Sequence, residues 1–187
     1  MTKKIYLIRH AQSEANAASD LDISKFYYDA RLTVLGKKQA LKTQKKLENI
    51  NFDLMLCSPL TRTLQTFSII FPKPIANTKI LSFVREHLDH SCDVGRQPSV
   101  LQKEYPNFDF KELKKFWWNN NIPIDENVIN YESIDDLDKR VNQFKIWIAN
   151  RPEKNIALVS HGTFISRIIN TFLDNCEFRI WYPNNVE

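Results

Sequence analysis

Four short runs of β-prone apolar residues, at 5–8, 53–57, 80–84 and 156–159, alternate along this chain with segments of helical period. Strands of that length separated by helices form a mainly parallel sheet, and such a sheet needs helices over both of its faces. The expected fold is therefore α/β: a three-layer α/β/α arrangement around a mainly parallel central sheet. Caps and spacing mark the helices. Ser58-Pro59 reads as an N-cap followed by proline at the first helical position, with Leu60, Leu64, Phe67 and Phe71 along one face. Ser133-Ile134-Asp135-Asp136 reads as a capping box opening a helix whose stripe is Ile134, Leu137, Val141, Phe144 and Ile148, closed by Arg151-Pro152. A third helix is expected from about Thr163, with Ile165, Ile168, Ile169, Phe172 and Leu173 as its apolar positions, and a weaker one from about Gly36 to Glu48. Phe178 to Tyr182 reads either as a last strand on the sheet or as an interface.

Between Arg85 and Glu132 the rhythm breaks into a stretch holding Pro98, Pro106, Pro123 and several asparagines, with Ser99-Val100-Leu101-Gln102 as one more capping box. The expected organisation is one domain over residues 1–187, with a core of about 1–84 and 133–187 and an insertion of about 85–132 carrying one or two helices. Phe108, Phe110, Phe116, Trp117 and Trp118 in the insertion are the material of a small satellite core. A chain of 187 residues, 43% of them hydrophobic, buries enough surface to need neither a disulfide nor a metal for its core. Cys57, Cys92 and Cys176 are odd in number and form no CxxC pair, which points to a reducing, cytoplasmic compartment. The apolar run behind the basic N-terminus is too short for a signal peptide or a membrane span. A net charge of +4 is too small to signal nucleic acid and is compatible with anionic partners of any kind. Oligomeric state is not legible.

Chemistry concentrates at three strand ends. His10 and His161 each follow a strand-like run and precede helical structure, and in open α/β sheets ligands bind outside the carboxyl ends of the strands. Both imidazoles therefore face one crevice. Arg9 stands beside His10, and Ser160-His161-Gly162-Thr163 places a glycine where backbone must approach something closely. Arg62 falls in the first turn of a helix, an end that attracts anions and that an arginine normally avoids. Two arginines, two histidines and two helix N-termini make a trap of phosphate size. No GxxxxGK[ST] motif is present and the chain has three glycines in all, so no glycine-rich loop cradles that phosphate.

The ordered set Leu7-Ile8-Arg9-His10-Ala11 with Ser13-Glu14-Ala15-Asn16, then Leu32-Thr33 with Gly36 and Gln39-Ala40, then Ser58-Pro59-Leu60 with Arg62 and Gln65-Thr66, and last Val159-Ser160-His161-Gly162 resembles the histidine phosphatase superfamily, the phosphoglycerate-mutase-like fold. It spans most of the chain, and it implies that the helical insertion lies as a lid over the active site. The resemblance implies a phosphatase acting without cofactor or metal on a small phosphorylated substrate. His10 would attack phosphorus to give a phosphohistidine. Arg9, Arg62 and His161 would clamp the non-bridging oxygens, with Asn16 and the backbone amide of Gly162 as further donors. Glu86, where the chain leaves the sheet for the insertion, matches the place of the proton donor. Arg96, in Cys92-Asp93-Val94-Gly95-Arg96, resembles a substrate contact of a branch of small family members.

Two departures bear on the family's chemistry. Position 11 is alanine where most members carry glycine, and after Glu86 the run His87-Leu88-Asp89 lacks the arginine and tyrosine that hold a phosphoglycerate carboxylate. The second favours a phosphatase over a phosphoglycerate mutase-type phosphotransferase. Two rival readings stay open at this point: a metal cluster of His87, His90, Cys92 and Asp93, and a non-catalytic phosphate-binding or interaction module of the same fold.

Overall fold

The computed structural model describes residues 2–21, 27–73, 77–119 and 129–183. Five strands form one sheet in the order β3-β2-β4-β1-β5. They are β1 (Lys4–Arg9), β2 (Leu54–Cys57), β3 (Thr78–Ile80), β4 (Asn155–Ser160) and β5 (Phe178–Trp181). All neighbours are parallel except β5, which runs antiparallel to β1 and so resolves the C-terminal segment as a strand. The helices are α1 (Glu14–Asp20), α2 (Val34–Leu47), α3 (Thr61–Ile70), α4 (Pro98–Glu104), α5 (Ile134–Ala149) and α6 (Gly162–Ile169).

Strand alternation divides the core in two. Tyr6, Ile8, Met55, Cys57, Ala157 and Val159 point to one face and meet α2, α3 and the insertion. Ile5, Leu7, Leu54, Leu56, Ile156 and Leu158 point to the other and meet α5 and α6 through Phe144, Ile148, Phe164 and Ile165. The aromatics of the insertion do not form a satellite. Phe110, Trp117 and Trp118 join the first face of the main core together with Leu88, Val94 and Leu101. A Cβ at Gly95 would lie 2.1 Å from the Trp117 ring, so the insertion is packed too closely there for any side chain.

Several local expectations shift. The third strand is Thr78–Ile80, and Ser82–Val84 is a 3-10 turn, because the Leu81 amide bonds the Cys57 carbonyl at the sheet edge and the chain then turns away. α3 begins at Thr61 with Leu60 as N-cap, not at Pro59. Its first amide is capped from a distance: Thr61 N–H donates to Asp29 Oδ1 at 2.8 Å. α4 starts at Pro98 with Gln97 as N-cap, so Ser99 lies inside the helix. Ser133 does cap α5, but Ile134 is half exposed at the helix start. α6 ends at Ile169, where Asn170 adopts the left-handed conformation, and this turns Phe172 out to solvent. α1, too short to show a helical period in the sequence, opens on a reciprocal Ser13–Asn16 capping box. Pro123 lies outside the described residues. Among those described, no helix is long and apolar enough to cross a membrane.

Candidate active site

Register brings the candidate residues together. Arg9 pairs with Ser160 across β1 and β4, and Cys57 pairs with Val159 across β2 and β4. The residues that leave these three strands, His10, His161 and Ser58, therefore stand side by side at one edge of the sheet. The rings of His10 and His161 are 5.2 Å apart. Nδ1 of His10 is 2.8 Å from the Ala11 carbonyl. A carbonyl only accepts, so Nδ1 carries the proton and Nε2 keeps its lone pair, toward which Arg62 Nε–H donates at 3.2 Å. His161 Nε2 lies 2.8 Å from Ser58 Oγ. Burial holds both rings well below the ordinary histidine pKa, and the charge of Arg62 adds to it, so both are neutral at physiological pH.

Ala11 is buried and its amide donates to Thr66 Oγ1 at 3.0 Å. Positive φ among the described residues occurs at Asp29, Asn170 and Cys176. The loop at position 11 does not use the conformation that glycine alone would favour, and alanine fits it.

The arginines reach the histidines from two sides. Arg62 is buried, and besides His10 it donates through Nη1 to the Cys92 carbonyl and through Nη2 to Asp93 Oδ1, each at 2.7 Å. Asp93 figures in the sequence only as a ligand of the rival metal cluster, not as a partner of Arg62. It enters from the insertion, 31 residues from Arg62, and its contact leaves no periodic or spacing signal. Burial pushes its carboxyl up to about 6 although Arg62 pulls it down. Arg9 donates through Nη1 to the Leu173 carbonyl at 2.7 Å, while burial lowers its pKa. Arg9 Nε and His161 Nδ1 are buried with no hydrogen-bond partner among the described residues. A Cβ on Gly162 would come within 3.3 Å of that Arg9 Nε, which accounts for glycine at the first residue of α6.

Glu86 lies at the N-terminus of α6. Its carboxylate accepts from the amides of Thr163 and Phe164, each at 3.1 Å, and of His87 at 2.9 Å. It thus caps the helix end at which His161 is the N-cap residue and anchors the start of the insertion to the helix carrying Gly162. Asn16 uses its Oδ1 to accept from Ser13 and Asn175, which leaves its Nδ2 as donor. Arg96 is not aimed at the histidines. Its guanidinium donates to Asp29 Oδ2 and Glu104 Oε2 at 2.7 Å and to Thr61 Oγ1, tying the insertion to the start of α3.

The four residues of the metal reading do not converge. His87 Nε2 bonds the Glu132 carbonyl at 2.8 Å, and Cys92 contributes its backbone to Arg62. Asp89, His90 and Asp93 do bring ligand atoms within 4.8 Å of one another, but Asp93 is committed to Arg62 and His90 Nδ1 to Asp89.

The arrangement is a neutral imidazole with a directed lone pair, flanked by two guanidinium groups, a second neutral imidazole and a carboxylate. Residues 5–184 match the profile of the histidine phosphatase superfamily, branch 1. A phosphoglycerate mutase-like protein of Arabidopsis thaliana is 30% identical over 93% of this chain and 73% of its own length. The adenosylcobalamin/alpha-ribazole phosphatase of Escherichia coli is 24% identical over 96% and 83%. In fold, the alpha-ribazole phosphatase of Shigella flexneri superposes with a TM-score of 0.65 at 22% identity, covering 95% of this chain and 89% of that one. A profile that runs from the first residues of β1 past the last strand leaves the sheet, the histidine pair and the insertion within one lineage, and the chain belongs to the histidine phosphatase superfamily, branch 1.

Proposed function

We propose that this protein is a phosphomonoesterase that works through a phosphohistidine on His10, without metal or cofactor. The observation that carries the reading is the tautomer of His10: the Ala11 carbonyl takes Nδ1–H and so presents Nε2 as a nucleophile. In the first step Nε2 forms a bond to phosphorus and the bond from phosphorus to the ester oxygen breaks. The electron pair leaves with that oxygen, which takes a proton from Glu86. In the second step Glu86 accepts a proton from water as the water oxygen bonds phosphorus. The phosphorus–nitrogen bond then breaks, releasing inorganic phosphate and neutral His10.

Charge shifts onto the non-bridging oxygens during both steps, and Arg9, Arg62 and His161 meet it. Arg9 Nε, buried without a partner, suits one oxygen. With the Ser58 hydroxyl donating to Nε2, neutral His161 offers Nδ1–H to another. Arg62 turns from His10 Nε2 to the phosphate once that lone pair is used. Asn16 Nδ2 and the Gly162 amide complete the donors. The substrate is a small phosphorylated molecule, not a nucleic acid or a membrane, and the three free thiols suit a reducing cytoplasm.

The test is hydrolysis of p-nitrophenyl phosphate by wild type and His10→Ala between pH 5 and 8, with and without EDTA. Chelator-insensitive turnover that disappears in the variant is expected, together with trapping of acid-labile phosphate on His10. Turnover that survives His10→Ala would sink the reading. An inert wild type would favour the phosphate-binding module instead.

A further inference from the structure

Behind Glu86 lies a buried ion cluster that the chemistry above does not use. Glu132, from the end of the insertion, accepts from Arg140 Nε at 2.9 Å and Arg85 Nη2 at 3.1 Å through Oε1, and from Arg140 Nη2 at 2.5 Å through Oε2. All three side chains are buried. An ion network of this kind is an expensive way to fill a core, since apolar residues of the same volume often serve stability as well or better. Its geometry suggests what else it does.

The remaining donors of Arg140 converge on the segment that carries Glu86. Nη1 reaches the carbonyls of Phe83 at 3.1 Å and Arg85 at 2.8 Å, and Nη2 reaches that of Glu86 itself at 3.2 Å. Glu132 holds the far side of the same turn with its backbone: its amide donates to the Leu88 carbonyl at 2.9 Å, and its carbonyl lies 2.8 Å from His87 Nε2. The guanidinium of Arg140 also stacks on the Phe164 ring at 5.4 Å. Phe164 is the residue whose amide bonds the Glu86 carboxylate. Arg140 therefore grips both partners of that contact, the Glu86 peptide and the start of α6, and Glu132 fixes Arg140 by two hydrogen bonds on one guanidinium edge.

We propose that Arg140 and Glu132 are a positioning pair for Glu86, holding its carboxyl where it can hand a proton to the leaving oxygen. This rests on Glu86 being the proton donor. A displacement of the turn by an ångström would misplace the acid while leaving His10 and the guanidinium groups of Arg9 and Arg62 in place.

Leaving groups separate this role from general support of the fold. p-Nitrophenolate departs with little need of a proton, whereas an alkoxide departs only with one. Rates with p-nitrophenyl phosphate, phenyl phosphate and an alkyl phosphate should be measured for wild type, Glu86→Gln, Arg140→Lys, Glu132→Gln and the double variant Arg140→Lys/Glu86→Gln. Glu132→Gln is close to isosteric and stands in should Arg140→Lys not fold. The first step, read as kcat/KM because the later water step uses Glu86 whatever the leaving group, is expected to fall roughly 10²-fold further on the alkyl phosphate than on p-nitrophenyl phosphate in each single variant. The double variant should fall no lower than Glu86→Gln alone. Equal losses on all three substrates for Arg140→Lys or Glu132→Gln, beside a leaving-group-dependent loss for Glu86→Gln, would overturn the positioning role alone. A loss for Glu86→Gln that ignores the leaving group would overturn the proton-donor reading, and the positioning role with it.

Discussion

Asp93 sets the resting state of the phosphate clamp. Its carboxylate takes Arg62 Nη2 at 2.7 Å, so an arriving phosphate competes with it for that guanidinium edge. The competition depends on pH. Burial, opposed by Arg62 and assisted by Glu86 and Asp89, raises the carboxyl to about 6. Above that pH Asp93 is charged and holds Arg62 tightly; below it the neutral acid holds it weakly. Asp93→Asn should therefore bind inorganic phosphate about tenfold more tightly than wild type near pH 8, the scale of one charge-assisted hydrogen bond, and equally near pH 5. The ratio of the two inhibition constants cancels the ionisation of phosphate itself, and a ratio that does not change with pH would refute the competition. At this scale the sequence discloses side chains whose role is set by their own strand end, such as His10, Arg9 and His161. It does not disclose Asp93, or Ser58 as the partner of His161, because those contacts join residues 31 and 103 positions apart.

α2 shows how one element disciplines another. A Cβ at Gly36, in its first turn, would lie 2.1 Å from the Gln12 carbonyl oxygen, in the loop that follows His10. That carbonyl also accepts from the Thr33 amide at 3.1 Å, and the Gln12 amide donates to Gln39 at 2.9 Å. Backbone cannot give way as a flexible side chain does, so Gly36→Ala must move α2 or the loop. It should destabilise by about 1–3 kcal/mol and lower kcat by roughly 10², read by thermal melts and by aryl phosphate hydrolysis; full activity would mean that the loop tolerates the shift. Element boundaries were legible where a cap acts on its own helix, as Ser133 does on α5. They failed where the side chain is claimed elsewhere. Ser58 has the residue type of an N-cap but bonds His161, and the remote Asp29 caps α3 in its place. Ser99 loses its role to Pro98 one position earlier, and α1 hides in a capping box too short to show a hydrophobic period.

Across the whole molecule, the strand order that makes the site also burdens the fold in acid. Placing β4 between β1 and β2 buries two imidazoles among two guanidinium groups, and among the described residues no acidic partner bonds either ring. The alternation of strands and helices implied this sheet, because its cause, a parallel sheet covered twice, is written in every run of the sequence. The thermodynamic consequence is not legible there, since it depends on burial. His10 and His161 have folded pKa values well below those of the unfolded chain. Their contribution is therefore complete above pH 6.5 and is lost as pH falls, by up to about 1.4 kcal/mol per pH unit for each ring. Asp93 works in the opposite sense. Its folded pKa of about 6 lies above its ordinary 3.8, so the folded protein gains a proton first and is favoured as pH falls through that window. His90, whose pKa the Asp89 hydrogen bond raises, works in the same sense as Asp93 but is exposed and screened by solvent, so the two buried rings outweigh both, and Tm should drop between pH 7 and 5. His10→Gln should flatten that profile and Asp93→Asn should steepen it, measured by calorimetry in buffers of constant ionic strength. A profile unchanged by His10→Gln would mean that the ring accepts a proton within the fold and that burial does not keep the nucleophile neutral.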